Sequence, residues 1–240
     1  MKCFWYDGSN VGDNMLRYMV PHLFNEEAEH VPMTSVGKLF MTGSVLHAVR
    51  EGDVLAGVGS FCEMPSDWQI PKKLDCRFVR GPRTAKHLDR NNLLFGDAGL
   101  LMPCLYTPKR NDALHDYGVI PHYADAEHLG SLPDNCTVIS TGLPITEFVD
   151  RIIRCRNVIS SSLHGIVIAE AYGVPAIRAT IGASWDRIAS FDFKHADYYE
   201  GTERDLPAAL TLIEALDISG VGVDLKNQMK KLLATMRFSQ

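Results

Sequence analysis

The stretch 157-NVISSSLHGIVIAEAYGVPAI-177 decides the fold. It opens with a strand-like run, breaks at three serines, restarts as an apolar helix and leads into a further strand over 174–179. Short apolar runs of this kind, separated by one helix and tight polar turns, suit the buried strands of a parallel sheet. The placing of His164 and Gly165 in the first helical turn raises the functional question. The start of a helix disfavours an imidazolium and welcomes an anion, so histidine is an unusual choice there for packing alone.

The same alternation extends in both directions. Residues 2–6 read as a strand, and 14-NMLRYMVPHLF-24 as a helix with Met15, Leu16, Met19, Val20 and Leu23 on one face and a kink expected at Pro21. The runs 36–44, 53–59 and 76–81 each end at or near glycine and suit buried strands, and Gly81-Pro82 starts a helix that runs to about Arg90. The segment 98-AGLLMPCLY-106 closes a first unit, and the polar stretch 107-TPKRNDALHDYG-118 leads to a second. There, 118–124 and 136–140 read as strands, and Ile145, Phe148, Val149, Ile152 and Ile153 mark a helix begun by Pro144. A last apolar stripe, Leu225, Met229, Leu232, Leu233 and Met236, marks a C-terminal helix. The expected architecture is two Rossmann-like open parallel sheets with flanking helices, in domains 1–110 and 111–240.

Composition limits what such a molecule does. The 240 residues are 46% hydrophobic and 22% charged, with a net charge of −5, so a polyanion such as nucleic acid is not an expected partner. Any small anion must be held by a few placed residues. The six cysteines show no C-x-x-C spacing and no pairing with histidines, and read as reduced, mostly buried thiols of a cytoplasmic protein. No run of about 18 apolar residues occurs, and the N-terminal MKCFWYDGSN lacks the apolar core of a secretion signal, so neither a membrane span nor a leader is expected.

Open α/β sheets bind ligands beyond the carboxyl ends of their strands, so the strand-to-helix turns hold the candidates. In 7-DGSNVGDNM-15, Gly8 and Gly12 permit close approach, and Asp13 is placed to cap the following helix. In 79-VRGPRTA-85, Arg80 and Arg83 bracket a helix start and form a candidate anion clamp, with surface salt bridges as the alternative. In 95-FGDAGLL-101, Asp97 is read as an Asx turn, a hydroxyl acceptor or an orienting group for an arginine. In the opening stretch, any of Ser160, Ser161 and Ser162 can be the N-cap before His164.

Taken in order, 10-NVGDN-14, 79-VRGPRTA-85, 96-GDAGLL-101 and 160-SSSLHGIVIAEAYGVPAI-177 resemble the polysaccharide pyruvyl transferase family, in particular the bacterial exopolysaccharide ketalases. The resemblance implies a fold like that of the GT-B glycosyltransferases and transfer of a pyruvyl group from phosphoenolpyruvate to a sugar. Carried over by motif, His164 is the candidate general acid. Arg80, Arg83, Ser161, Ser162 and Gly165 stand at the donor, and Asp13, Asn10 and Asp97 are acceptor-binding or orienting groups. Many members carry arginine two residues before or immediately before this histidine, where this chain has Ser162 and Leu163. The scheme needs no metal and no cofactor beyond the donor. By resemblance the acceptor is a glycan, of which a lipid-linked oligosaccharide at the inner face of a membrane is one form.

Two other readings use the same scaffold. In a nucleotide-sugar glycosyltransferase Glu170, six residues beyond His164, would bind ribose. In a noncatalytic sugar-binding subunit the donor chemistry would be lost. Trp5, Trp68 and Trp185 are candidates for stacking on a sugar, with core packing as the equal alternative.

Overall fold

The computed structural model describes residues 1–8, 10–90, 92–109, 113–181 and 189–236. Their strands form two sheets in which every pairing is parallel. The first holds β1 (Lys2–Cys3), β2 (Glu29–His30), β3 (Leu39–Phe40), β4 (Val54–Ala56), β5 (Asp75–Val79) and β6 (Leu94–Phe95), in the order β2-β1-β3-β4-β5-β6. The second holds β7 (His115–Ile120), β8 (Cys136–Val138), β9 (Cys155–Ser160), β10 (Ala176–Thr180) and β11 (Leu210–Thr211), in the order β11-β10-β9-β7-β8. With flanking helices this is the expected α/β fold. The short edge strands β2 and β11 are additions that the apolar pattern did not mark, since neither is an apolar run.

Each sheet reverses its strand order once. In the first the reversal lies between β1 and β3, and in the second between β7 and β9. These are the places where connections leave toward opposite faces and open a crevice at the carboxyl ends of the strands.

Helices α1 (Val11–Asn14) and α2 (Leu16–Phe24) follow β1, α3 (Pro82–His87) follows β5, and α4 (Met102–Leu105) follows a 3-10 turn over Ala98–Leu101. Pro21 lies inside α2, and the helical break falls at Met15, ahead of it. In the second half, α5 (Ile145–Ile152) buries the expected stripe of Ile145, Phe148, Val149 and Ile152. Helix α6 (Leu163–Ala171) is apolar on every side and buried from Leu163 to Glu170, as fits a helix covered all round. One core cluster runs through both sheets: Met15, Leu100, Leu101 and Met102 share it with Ile120, Phe148, Ile166 and Val167.

Helices α7 (Ala189–Gly201), α8 (Leu212–Leu216) and α9 (Lys226–Thr235) complete the chain. Two of them return to the first sheet. Helix α9 packs on β5 and β6, with Gln228 Nε2 donating to the Phe95 carbonyl at 2.8 Å. Helix α7 packs on α3, so closely that a Cβ on Gly81 would lie 1.7 Å from the Asp197 carbonyl oxygen. The glycine that reads in the sequence as a helix start is thus the floor on which α7 rests.

The contact is sealed by charge. Fully buried Arg80 donates from Nε to Asp197 Oδ2 at 3.0 Å, from one terminal nitrogen to Ser44 Oγ at 2.8 Å, and from the other to the Ser60 carbonyl. Thr84 donates to Asp197 from its backbone N–H at 3.0 Å and from its hydroxyl at 2.6 Å. Removing one partner of such a pair leaves a buried charge unmatched, at a cost of about 3–5 kcal/mol. We expect Asp197→Ala to lower the melting temperature by roughly 6–20 °C on that basis. Calorimetry showing a parent-like transition would contradict this role.

Candidate functional site

A cavity of about 480 Å³ opens where the two reversal points face each other. Its wall comes from the segment after β1 (Tyr6, Asn10, Asp13), the segment after β3 (Ser44, His47) and the loop after β4 (Ser60, Phe61, Glu63). The other sheet supplies His122 and Tyr123 after β7, and Ser162, Leu163 and His164 after β9. Lys194 of α7 completes it.

His164 is held from two sides. Its Nε2 lies 3.5 Å from Asp97 Oδ2, a charge contact in which Nε2 is buried and makes no hydrogen bond of good geometry. Its Nδ1 lies against Gly12, where a Cβ would come within 1.8 Å. Glycine at position 12 is therefore required by the ring. Asp97 caps the 3-10 turn by accepting from the Gly99 N–H at 2.8 Å, which confirms the Asx-turn reading, and its second oxygen serves His164 in place of an arginine. Burial alone would raise the Asp97 carboxyl, yet His164, the Gly99 N–H and Arg80 outweigh it and hold it below its ordinary value.

Asn10, not Asp13, caps the first helix, because the helix begins at Val11 and Asp13 already lies inside it. Asn10 accepts from the Gly12 N–H at 3.1 Å and donates to Asp13 Oδ2 at 2.9 Å, holding the carboxyl on the cavity wall. Burial pushes Asp13 above the usual carboxylate range, with Asp97 adding to the push and His164, Asn10 and Lys194 opposing it.

The three serines divide their tasks. Ser160 Oγ accepts from the Ser162 N–H at 3.0 Å and lies against Gly165, where a Cβ would meet it at 2.3 Å. Ser161 donates to buried Asp125 at 2.7 Å and accepts from the His122 N–H at 2.8 Å, which ties the turn after β9 to the one after β7. Ser162 is the N-cap by backbone position, forms no side-chain capping bond and lines the cavity.

The two arginines are placed elsewhere. Arg80 stands one layer behind the wall, holding Ser44 and Ser60 from the rear. Arg83 forms a fork on Glu200, with contacts of 2.6 Å and 3.0 Å, and does not line the cavity. Both charges are matched by carboxylates of α7, a segment in which the sequence pattern marks no partner for them. Glu170 is also engaged: it accepts from both terminal nitrogens of Arg204, at 2.8 Å and 2.7 Å, and from the Tyr198 hydroxyl at 2.6 Å. That removes the residue on which the ribose-binding reading rested.

Trp5 is buried and stacks on His30, and Trp68 packs on a second core cluster without lining the cavity itself, while Trp185 lies outside the described residues. Aromatic surface does face the cavity mouth, from Tyr6, Tyr123 and Phe61, which are 59%, 62% and 41% exposed. The thiols also depart from expectation: only Cys3 and Cys155 are buried, and Cys62 and Cys104 are exposed.

His122 and Lys194 are among the cavity residues that lie outside every motif. His122, at the end of β7, is pushed down to about 3 by burial and by Lys194, so its ring is neutral. Lys194 is pushed down to about 7 by burial and then by Arg80, with Asp13 and Asp125 pulling the other way. The signal for His122 was its place just after a strand. For Lys194 no local signal existed, because α7 is polar and apolar in no helical period.

No helix among the described residues is long and apolar enough to cross a membrane. No solved structure matches the chain. An uncharacterized protein of Acanthamoeba polyphaga mimivirus, L143, is 25% identical over 213 residues, covering 82% of this chain and 72% of that one. The model of the polysaccharide pyruvyl transferase family matches residues 56–180, just over half of the chain, from β4 to the end of β10, and so takes in Asp97, His122 and His164. The chain belongs to the polysaccharide pyruvyl transferase family.

Proposed function

We propose that the protein transfers the pyruvyl group of phosphoenolpyruvate to two hydroxyls of a glycan sugar, giving a cyclic ketal and phosphate. The observation that carries this reading is the imidazole of His164, set against a buried carboxylate at the crevice where both sheets reverse. The donor is a small acid with a phosphate and a carboxylate, and its reaction begins with protonation of a carbon. A positioned proton donor is worth about 10² to 10⁴ in rate for such a step.

His164 gives its proton to C3 of the enol, and C2 becomes electrophilic. The oxygen of one sugar hydroxyl bonds to C2, its proton passing to the imidazole or to Asp13. The C2–O bond to phosphate then breaks and phosphate leaves with that electron pair and a proton. A second hydroxyl of the same sugar bonds to C2, releases its proton and closes the ring. Asp97, 3.5 Å from Nε2, offsets the positive charge of the ring when it acts as the acid. The Gly165 N–H is taken up by the Ser162 carbonyl at 3.1 Å, so the start of α6 offers the anion the N–H groups of Leu163 and His164 together with the Ser162 hydroxyl.

The acceptor sits toward the mouth, where a pyranose lays its apolar face on Tyr6, Tyr123 or Phe61. The size of the cavity is that of an ordinary small-molecule site, enough for a donor and the sugar ring it modifies. A lipid-linked oligosaccharide at a membrane surface fits this arrangement, since the remainder of the glycan extends outward. The noncatalytic sugar-binding reading gives no reason for a buried histidine and carboxylate pair at the base of the cavity.

His164→Gln is expected to cut acceptor-dependent phosphate release from phosphoenolpyruvate by about 10²-fold or more with the melting temperature preserved; unchanged turnover would refute the general-acid role. Asp97→Asn should lower kcat by about the same order with a smaller change in KM, because it acts through the ring and not on the donor. Tyr123→Ala should raise the acceptor KM several-fold and leave donor affinity as it was, which donor titration and acceptor kinetics would separate.

A further inference from the structure

A guanidinium carries five N–H groups and no acceptor, so every polar atom bonded to Arg80 must accept from it. Its acceptors are a carboxylate oxygen of Asp197, the carbonyl of Ser60 and the hydroxyl oxygen of Ser44. The first two have no hydrogen to pass on, and the third has one. An oxygen that accepts from the arginine behind it turns its own O–H away from that arginine, and Ser44 lines the cavity. Among the described residues no group accepts a hydrogen bond from Ser44 Oγ.

The position of that hydroxyl is built into the backbone around it. Gly59 makes room for the guanidinium, since a Cβ there would come within 2.1 Å of Arg80 Cζ. The same glycine clamps the segment that carries Ser44: its N–H donates to the Gly43 carbonyl at 3.0 Å, and its carbonyl accepts from the Leu46 N–H at 3.1 Å. Gly43 has a φ of +86°, which favours glycine, and a Cβ there would meet Asp13 Oδ1 at 2.8 Å. The other serine held by Arg80 is engaged elsewhere, its hydroxyl donating to the Cys62 carbonyl at 2.6 Å. Ser162, which makes no capping bond, brings a second hydroxyl to the cavity from the other sheet.

We propose that Ser44 binds the ligand of this cavity, donating its hydroxyl hydrogen to an anionic oxygen of a small phosphorylated acid, with Arg80 as the positioning residue that turns the hydroxyl toward that oxygen. The identity of the acid rests on the proposed function; the hydroxyl itself requires only an anionic oxygen, whether of a phosphate or of a carboxylate. Hydrogen bonds in a chain polarise one another, so an O–H whose oxygen accepts from a guanidinium is a stronger donor than an isolated one, and a bond to an ionised acceptor is stronger again. No unmatched charge is involved, because Asp197 already balances Arg80 and the direction of donation follows from the guanidinium alone. The arginine that the sequence marks as an anion clamp thus reaches the anion through a serine that the sequence does not mark.

The test is calorimetric titration of the parent and of Ser44 variants with phosphoenolpyruvate, inorganic phosphate and pyruvate, beside a melting curve of each unliganded protein. Ser44→Ala should weaken phosphoenolpyruvate binding by about tenfold or more. It also leaves an Arg80 N–H without its acceptor, so Ser44→Asp is the second variant: its carboxylate accepts from Arg80 and has no hydrogen to give, and it should melt like the parent yet lose phosphoenolpyruvate. Ser44→Thr keeps both the oxygen and the hydrogen and should bind like the parent. A loss in Ser44→Ala that extends to inorganic phosphate places the hydroxyl on the phosphate, and one that extends to pyruvate places it on the carboxylate. Parent-like affinity for phosphoenolpyruvate in Ser44→Ala or Ser44→Asp would overturn the assignment, as would weak binding by a Ser44→Thr protein that melts like the parent, or failure of all three ligands to bind the parent. Ser44-dependent binding of inorganic phosphate with none of phosphoenolpyruvate would uphold the role of Ser44 and refute the donor assigned under the proposed function.

Discussion

The buried pair of Arg80 and Asp197 is the constraint on which the rest of this molecule depends. A guanidinium with no exposed surface must have its charge matched and its N–H groups accepted, and here a carboxylate, a hydroxyl and a carbonyl do so. Because the carboxylate belongs to α7 and the arginine to the turn after β5, the pair joins residues separated by 117 positions. It also stiffens Ser44 and Ser60, two parts of the cavity wall. One interaction thereby sets the helix that carries Lys194 and the loops that face it.

The cavity collects ionisable groups that burial treats differently. Asp97 lies deepest and stays ionised, since His164 and a backbone N–H favour its charge. Asp13, with a weaker set of partners, is driven the other way. Lys194 is left near the point of losing its proton, and His122 is neutral. A carboxyl pushed up by burial and an amine pushed down by it, around one imidazole, suit a reaction in which a carbon gains a proton and two hydroxyls lose theirs.

Much of this was legible in advance, for identifiable reasons. The alternation of buried strands and helices has a strong period, and it located β7, β9, β10, α5 and α6 to within a few residues. The turns after β1, β5, β6 and β9 were read as the site because in parallel sheets ligands meet the carboxyl ends of strands. Asn10, Asp13, Asp97, Ser162 and His164 then fall around one cavity or immediately behind it. The arginines of 79-VRGPRTA-85 show the limit of that reasoning. A guanidinium beside a helix start looks the same in sequence whether its anion is a ligand or a distant aspartate.

The sequence alone determined which side chains follow the central strands β1, β5 and β9, because hydrophobic period and turn residues are local properties of the chain. It therefore determined the α/β class and the position of His164 at the start of a helix. Only the tertiary structure decided what each charge would face. Ion pairing in a desolvated interior depends on which segments meet, and no local pattern records that α7 folds back on the first sheet. For that reason Arg80, Arg83 and Glu170 proved to be internal partners, and Lys194, in a helix with no apolar period, proved to stand on the cavity wall.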